Sequence, residues 1–234
     1  MTRRVMPRMN SDGYFCVVLI ADVRHMSKNL CLWQRFCEWD GRVLNSYQKP
    51  LKNAEKDRQK MRTLFEFDFK NYKEHGTVGR RPSVRGIIIK DGKVELVHSL
   101  KYDYFKFPGG GIKKFESHSE TLLREVEEET GLIVIPSSIT EYGLVFRKEK
   151  GRFEDIFIQE NFYYFCEVEE KCTCQKLDQY ETDEQFVLEW ADPIAAIDAN
   201  RNHDHFDKDS ELAQHMMERE ARVLALLVDE GYFK

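Results

Sequence analysis

No stretch of this 234-residue chain stays apolar for anything near the roughly 18 residues that a membrane-spanning helix needs. No membrane partner is expected. Paired cysteine spacings are missing as well. Six cysteines contain no CxxC, and Cys172-Thr173-Cys174 is too little for a zinc site. They read as incidental thiols, reduced in a cytoplasmic protein. Nor is there a basic excess: the net charge is −5 with 33% charged residues, which argues against a nucleic-acid-binding surface. What is present is a 41% hydrophobic share, enough for a core. The length suits one domain of about 170 residues plus an extension.

The informative segment runs from Gly110 to Leu132. Gly110 is followed after five residues by Glu116, and after seven more by Arg124-Glu125-Val126; then come Glu128-Glu129 and Gly131-Leu132. Ser117 with Glu120 spells a capping box, in which each side chain takes an otherwise orphaned amide at a helix start. Gly131 suits the left-handed residue that ends a helix, with Pro136 just beyond. A helix over residues 118–130 follows, with Leu122, Leu123 and Val126 as the core-facing stripe.

On that helix Glu125, Glu128 and Glu129 fall within an arc of roughly 100°. Carboxylates three and four residues apart repel by a few tenths of a kcal/mol per pair. A divalent cation would turn that repulsion into coordination, and an all-oxygen ligand set points to Mg²⁺ or Mn²⁺ rather than zinc. An acidic run alone reads as a solvated helix face. Gly110, Glu116, Arg124 and Gly131 at fixed offsets displace that reading.

Gly110–Leu132 resembles the signature of the Nudix hydrolases at every defined position, and Phe107-Pro108-Gly109 resembles the family's lead-in. The resemblance implies an α/β (α+β) fold, an α/β/α sandwich around a mixed sheet. It implies metal-assisted hydrolysis of a nucleoside diphosphate linked to another group. Glu128 and Glu129 match the family's principal metal ligands, with Glu125 and Glu116 as further or supporting carboxylates. Arg124 would hold a carboxylate through its planar fork, and Glu127 would point away. The amides of Gly109 and Gly110 allow close approach of chain to metal or phosphate, and the Gly109 carbonyl is a candidate ligand. The general base is either a signature glutamate or an acid from a later loop; there Glu184 is favoured over Glu181 and Asp183. A binding module that has lost catalysis is the alternative, although such modules commonly lose signature glutamates and this segment keeps them all.

The flanks fit that implied fold. Residues 84–90 and 93–98 read as a hairpin around Asp91-Gly92. Strands are expected at 104–107, 141–148, 156–168 and 185–190, and helices at 193–199 and 211–230, the last carrying Leu212, Met216, Val223, Leu226 and Leu227. Residues 61–234 are taken as the hydrolase domain. Residues 1–60 are an extension: a short strand at Tyr14–Ala21, a helical stretch with Leu30, Trp33, Phe36 and Cys37, and a charged linker. It either builds a homodimer through Trp33, Phe36 and Trp39 or is a gene-start artefact preceding Met61.

Weaker candidates surround the segment. Arg80, Arg81 and Arg85 stand where a basic group could meet phosphate, or merely solubilise a turn. Tyr102, Tyr104 and Phe105 could stack on a base but read more readily as core. His203 and His205 lack a third ligand and read as surface residues. The substrate is expected to be a small nucleotide, resembling ADP-ribose, a nucleotide sugar or a nucleoside triphosphate. Arg147 and Lys148 occupy the positions where ADP-ribose and diadenosine polyphosphate hydrolases often carry proline or tyrosine, so neither subclass is supported.

Overall fold

A computed structural model describes residues 61–202 and 211–233. The expectations for the N-terminal extension and for His203 and His205 lie outside these residues. Ten strands and four α-helices follow one another in the described chain. They are β1 (Thr63–Asp68), β2 (Val78–Ile87), β3 (Ile89–Lys90), β4 (Lys93–Ser99), β5 (Tyr104–Lys106), α1 (His118–Thr130), β6 (Leu132–Val134), β7 (Thr140–Glu149), β8 (Ile156–Phe165), β9 (Val168–Cys172), α2 (Gln179–Asp183), β10 (Phe186–Ala191), α3 (Pro193–Asn202) and α4 (Glu211–Asp229).

The main sheet has the order β1-β7-β8-β2, with parallel outer pairs and an antiparallel centre. A second sheet runs β10-β4-β3, with β5 also on β4, and β6 pairs with β9. Alternation along the strands then sorts side chains to two faces. On one face Val84, Leu144 and Phe162 pack with Leu122 and Val126 of α1. On the other, Ile87, Val145 and Tyr163 join β4 and β5 against Ala196 and Ile197 of α3 and Val223, Leu224 and Leu227 of α4. The result is the expected mixed sheet between helical layers.

Local chemistry sets most boundaries. The Ser117 capping box is formed with Glu120, and Gly131 closes α1 at φ 75°. Asp192 Oδ1 accepts the amides of Ile194 and Ala195 at the start of α3. The hairpin turn at Asp91-Gly92 forms, but its first strand is only β3. Residues 78–87 leave for the main sheet, where β2 pairs in parallel with β8. That pairing satisfies ten residues of backbone, whereas β3 offers two. Strands β1, β6 and β9 and the short helix α2 had no counterpart in the sequence reading. Among the described residues no helix is long and apolar enough to cross a membrane.

Candidate active site

The glycine loop adds itself to the free edge of β2. The amides of Gly86 and Val84 donate to the carbonyls of Pro108 and Gly110 at 2.8 and 3.0 Å, and Ile112 N donates to Pro82 O at 3.1 Å. Gly109 adopts φ 139°, and a β-carbon there would collide with the Val84 carbonyl. A β-carbon on Gly110 would instead overlap the Glu125 carboxylate. The loop is thus pressed between β2 and one carboxylate of α1, and at Gly109, where backbone is met at a positive φ, only glycine permits it.

Arg124 organises the acids of α1. Its Nε and Nη2 donate to the two oxygens of Glu116 at 2.8 and 2.7 Å, a fork-to-fork pair. Its Nη1 donates to Glu125 at 2.6 Å and to Glu128 at 3.1 Å. These bonds, Arg124's above all, hold the Glu116 carboxyl down at about 2, and the guanidinium is raised in turn. Burial pushes Glu125 upward, opposed by Arg124. Glu127 points elsewhere and pairs with Lys176 at 3.3 Å.

Glu129 is drawn apart from this group. Its Oε1 accepts from Lys106 Nζ at 2.7 Å and its Oε2 from the Gly109 amide at 2.8 Å, with both side chains of the ion pair buried. The three glutamates expected on one face therefore divide, because β5 offers a buried lysine to Glu129 and Arg124 gathers the others. Around Lys106 lie further acids and aromatics. Tyr104 Oη donates to Glu184 at 2.7 Å, and Lys106 Nζ stands 4.4 Å from the Phe186 ring centre. Burial, reinforced by the Glu129 charge, pushes Glu181 up to about 7. Tyr104 and Phe105 are core residues, at 1% and 7% exposure. Glu184, at 3%, is buried with its carboxylate on the Tyr104 hydroxyl, and its carbonyl accepts from Ser99 Oγ.

Arg85 is buried within β2 rather than placed in a turn before it, and its Nη1 donates to the carbonyls of Gly109 and Phe107. The proposed carbonyl ligand is thus held by a guanidinium. Arg81 is exposed and lies beside Gly111. Lys106 was missed by the sequence reading. Its signal was a lone lysine among Tyr104, Phe105 and Phe107, where a fourth apolar residue would suit a strand.

Glu116, Glu125 and Glu128 suit a hard divalent cation. They offer only oxygen donors, they already converge on one positive group, and Gly110 leaves room for the Glu125 carboxylate where a β-carbon would fill it. Among the described residues no three acidic, histidine or cysteine side chains form a ready-made cage, since Arg124 draws these carboxylates to itself.

The sequence model of the Nudix domain matches residues 79–211, more than half of the chain. The chain belongs to the Nudix family. Within this Nudix chain a short segment is also similar to curated relatives. It is 48% identical over 56 residues to an RNA pyrophosphohydrolase of Hahella chejuensis, covering 23% of this chain and 34% of that protein. It is 44% identical over 59 residues to the RNA pyrophosphohydrolase of Teredinibacter turnerae, covering 24% and 34%. The chain thus spans about a third of the length of the curated relatives it matches. Among solved structures, the E. coli ORF135 protein is 18% identical at a TM-score of 0.42, over 66% of this chain and 95% of that one. A NUDIX hydrolase from Nitrosomonas europaea is 19% identical at 0.43, over 60% and 87%.

Proposed function

We propose that the protein is a pyrophosphohydrolase dependent on Mg²⁺ or Mn²⁺, cleaving the P–O–P bond of a nucleoside diphosphate joined to another group. The observation that carries this reading is the convergence of Glu116, Glu125 and Glu128 on Arg124 beside the glycine loop. Glu125 and Glu128 would hold the ion, with Glu116 supporting them and Glu129 anchoring the loop from its pair with Lys106. A bound ion neutralises pyrophosphate charge and polarises the attacked phosphorus.

The chain's own groups do the rest. Arg124 spaces the carboxylates and opposes the upward push of burial on Glu125. Arg85 and the Gly110 amide would face the anionic substrate, the Gly109 amide being taken by Glu129. Glu184, held by the Tyr104 hydroxyl, is the assigned proton acceptor. Glu181 is a second candidate, favoured by a carboxyl that titrates near neutrality. For substrate, ADP-ribose-like compounds, nucleotide sugars and nucleoside triphosphates stand beside the triphosphorylated RNA ends suggested by the names of the matched relatives. Residues 61–234 would form the hydrolase unit of a cytoplasmic protein.

A magnesium-dependent screen for released phosphate and nucleotide over those compounds tests the reading. Turnover that falls at least about a hundredfold in Glu128→Gln supports it. No turnover on any compound would shift the protein to a nucleotide-binding module without catalysis.

A further inference from the structure

Just beyond the glycine loop, an aromatic side chain stands where the backbone calls for glycine. Glu116 N donates to Lys113 O at 3.1 Å and closes a turn with Lys114 and Phe115 at its centre. Phe115, the third residue of that turn, adopts φ 73°. A turn with a positive φ at this place ordinarily takes glycine or asparagine, because a β-carbon there crowds the neighbouring carbonyl. The chain has phenylalanine instead. Its side chain is 88% exposed, the highest value for a large apolar residue among the described residues. Backbone strain and an apolar ring in water both count against the fold. No packing offsets them: the ring's neighbour is the Lys114 ammonium, 5.0 Å from its centre.

The turn is nonetheless held firmly. Lys113 N donates to Glu116 Oε2 at 3.1 Å, and the same carboxylate takes Thr121 Oγ1 at 3.0 Å and the fork of Arg124. Upstream, Ile112 N is tied to Pro82 O. Both ends are therefore fixed, and the downstream anchor is Glu116, the acid that Arg124 joins to Glu125 and Glu128. Phe115 thus keeps a set offset from the carboxylates assigned to the metal, one residue from Glu116. Lys113 and Lys114 beside it are exposed, and neither ammonium has a carboxylate partner among the described residues.

An uncovered aromatic face with two unpaired ammonium groups, next to a site for pyrophosphate, complements a nucleotide. A base of any identity can stack on such a ring, while lysines meet phosphate oxygens. Tyr104 and Phe105, the other aromatics near the glycine loop, are core residues and offer no open face. Two adjacent lysines also suit this tip poorly to the centre of a protein interface, where lysine is depleted.

Resting on the pyrophosphohydrolase reading, we propose that Phe115 is a stacking platform for the nucleobase of the nucleoside diphosphate, with Lys113 and Lys114 meeting its phosphates. The base is then recognised as a flat ring rather than by its hydrogen-bonding edge. Purines, with two rings, are favoured over pyrimidines by stacking area, and a pyrophosphate without a base gains nothing from the platform.

The turn supplies its own test, because Phe115→Gly installs the residue that the backbone prefers. The melting temperature of this variant is expected to equal or exceed that of the wild type, so that weaker binding is not a folding defect. The probe is α,β-methylene-ADP, whose bridge resists cleavage, titrated calorimetrically into the full chain with Mg²⁺ present. Binding is expected to weaken at least about tenfold in Phe115→Gly and to return in Phe115→Trp. Methylenediphosphonate, which lacks a base, should bind the wild type and both variants alike. Unchanged binding of the nucleotide analogue in Phe115→Gly, an equal loss for methylenediphosphonate, or no binding of the analogue to the wild type would each overturn the platform.

Turnover separates the platform from the reading it rests on. For a nucleoside diphosphate derivative that the enzyme cleaves, the loss in Phe115→Gly is expected to fall on KM more than on kcat. A loss confined to kcat would overturn the stacking role. Analogue binding that depends on Phe115, without turnover of any compound, would sink the hydrolase reading alone. Turnover together with analogue binding that ignores Phe115 would sink the platform alone.

Discussion

Lys106 Nζ and Glu129 Oε1 lie 2.7 Å apart, with side chains exposed by only 6% and 3%. The pair ties β5, immediately before the glycine loop, to the end of α1. Through Glu129 Oε2 it also holds the Gly109 amide. A buried ion pair loses much when one partner is removed, because the other charge is left without compensation. Lys106→Met is therefore expected to cost about 3–5 kcal/mol of unfolding free energy, and Lys106→Met/Glu129→Leu less than the single change. Urea denaturation of both variants checks this. A double variant as unstable as the sum of its single changes would show that the two side chains are not coupled.

The adjacent glycines should fail differently. A side chain at Gly109 meets backbone, the Val84 carbonyl, at a φ of 139° that suits glycine alone. A side chain at Gly110 meets only the end of the flexible Glu125. Gly109→Ala should lower the melting temperature markedly. Gly110→Ala should leave it nearly unchanged while moving a carboxylate, and such small misplacements cost up to about a hundredfold in rate. Thermal melts beside kcat measurements separate the two, and an inactive but equally unstable Gly110→Ala would contradict the assignment.

Arg124 offers a test of geometry against charge. Its fork binds Glu116 through two parallel bonds while Nη1 reaches Glu125 and Glu128. Lysine keeps the charge but not the fork. Arg124→Lys is expected to lose tenfold or more in kcat, with Mg²⁺ dependence shifted to higher concentration, roughly the loss seen when groups supporting metal ligands are removed. Wild-type metal dependence in this variant would leave Arg124 with charge balance alone.

Stability should fall on the alkaline side because of Glu95. This side chain is fully buried on the α1 face of β4 with neither oxygen hydrogen-bonded, and burial pushes its carboxyl from 4.5 up to about 8. Between those values the folded protein keeps a proton that the unfolded chain has released. The contribution is thus complete below about pH 4.5 and is lost as pH rises towards 8. Glu95→Gln should flatten this decline, by up to roughly 4 kcal/mol between pH 5 and 8.5. Chemical denaturation of both proteins at the two pH values measures it, and parallel declines would exclude Glu95 as the source.

Local signals in the chain carried well into the structure. The α1 boundaries, its capping box, the Gly131 terminus and the Asp91-Gly92 turn all rest on contacts within a few residues, which spacing reveals directly. Strands with strong β composition, β7, β8 and β10, were legible for the same reason. Short strands such as β6 and β9 were not, because three to five residues hold too little periodicity and owe their form to a partner far along the chain.

The segment from Gly110 to Leu132 was enough by itself to name the family and to gather the acids on one helix. Where each acid points was decided elsewhere. Glu129 turns to a lysine 23 positions away, and Glu125 and Glu128 turn to Arg124. Arg85 became a buried contact of the glycine loop because β2 chose β8 as its partner over the hairpin. The rung that sets Arg147 across Gln159 from Arg81 joins the consecutive strands β7 and β8 to β2, far upstream in sequence. Sequence determines chemistry that neighbours on the chain complete together. Charges completed by distant residues find their partners only when the sheet is assembled, since long-range pairing alone brings them within a few ångströms.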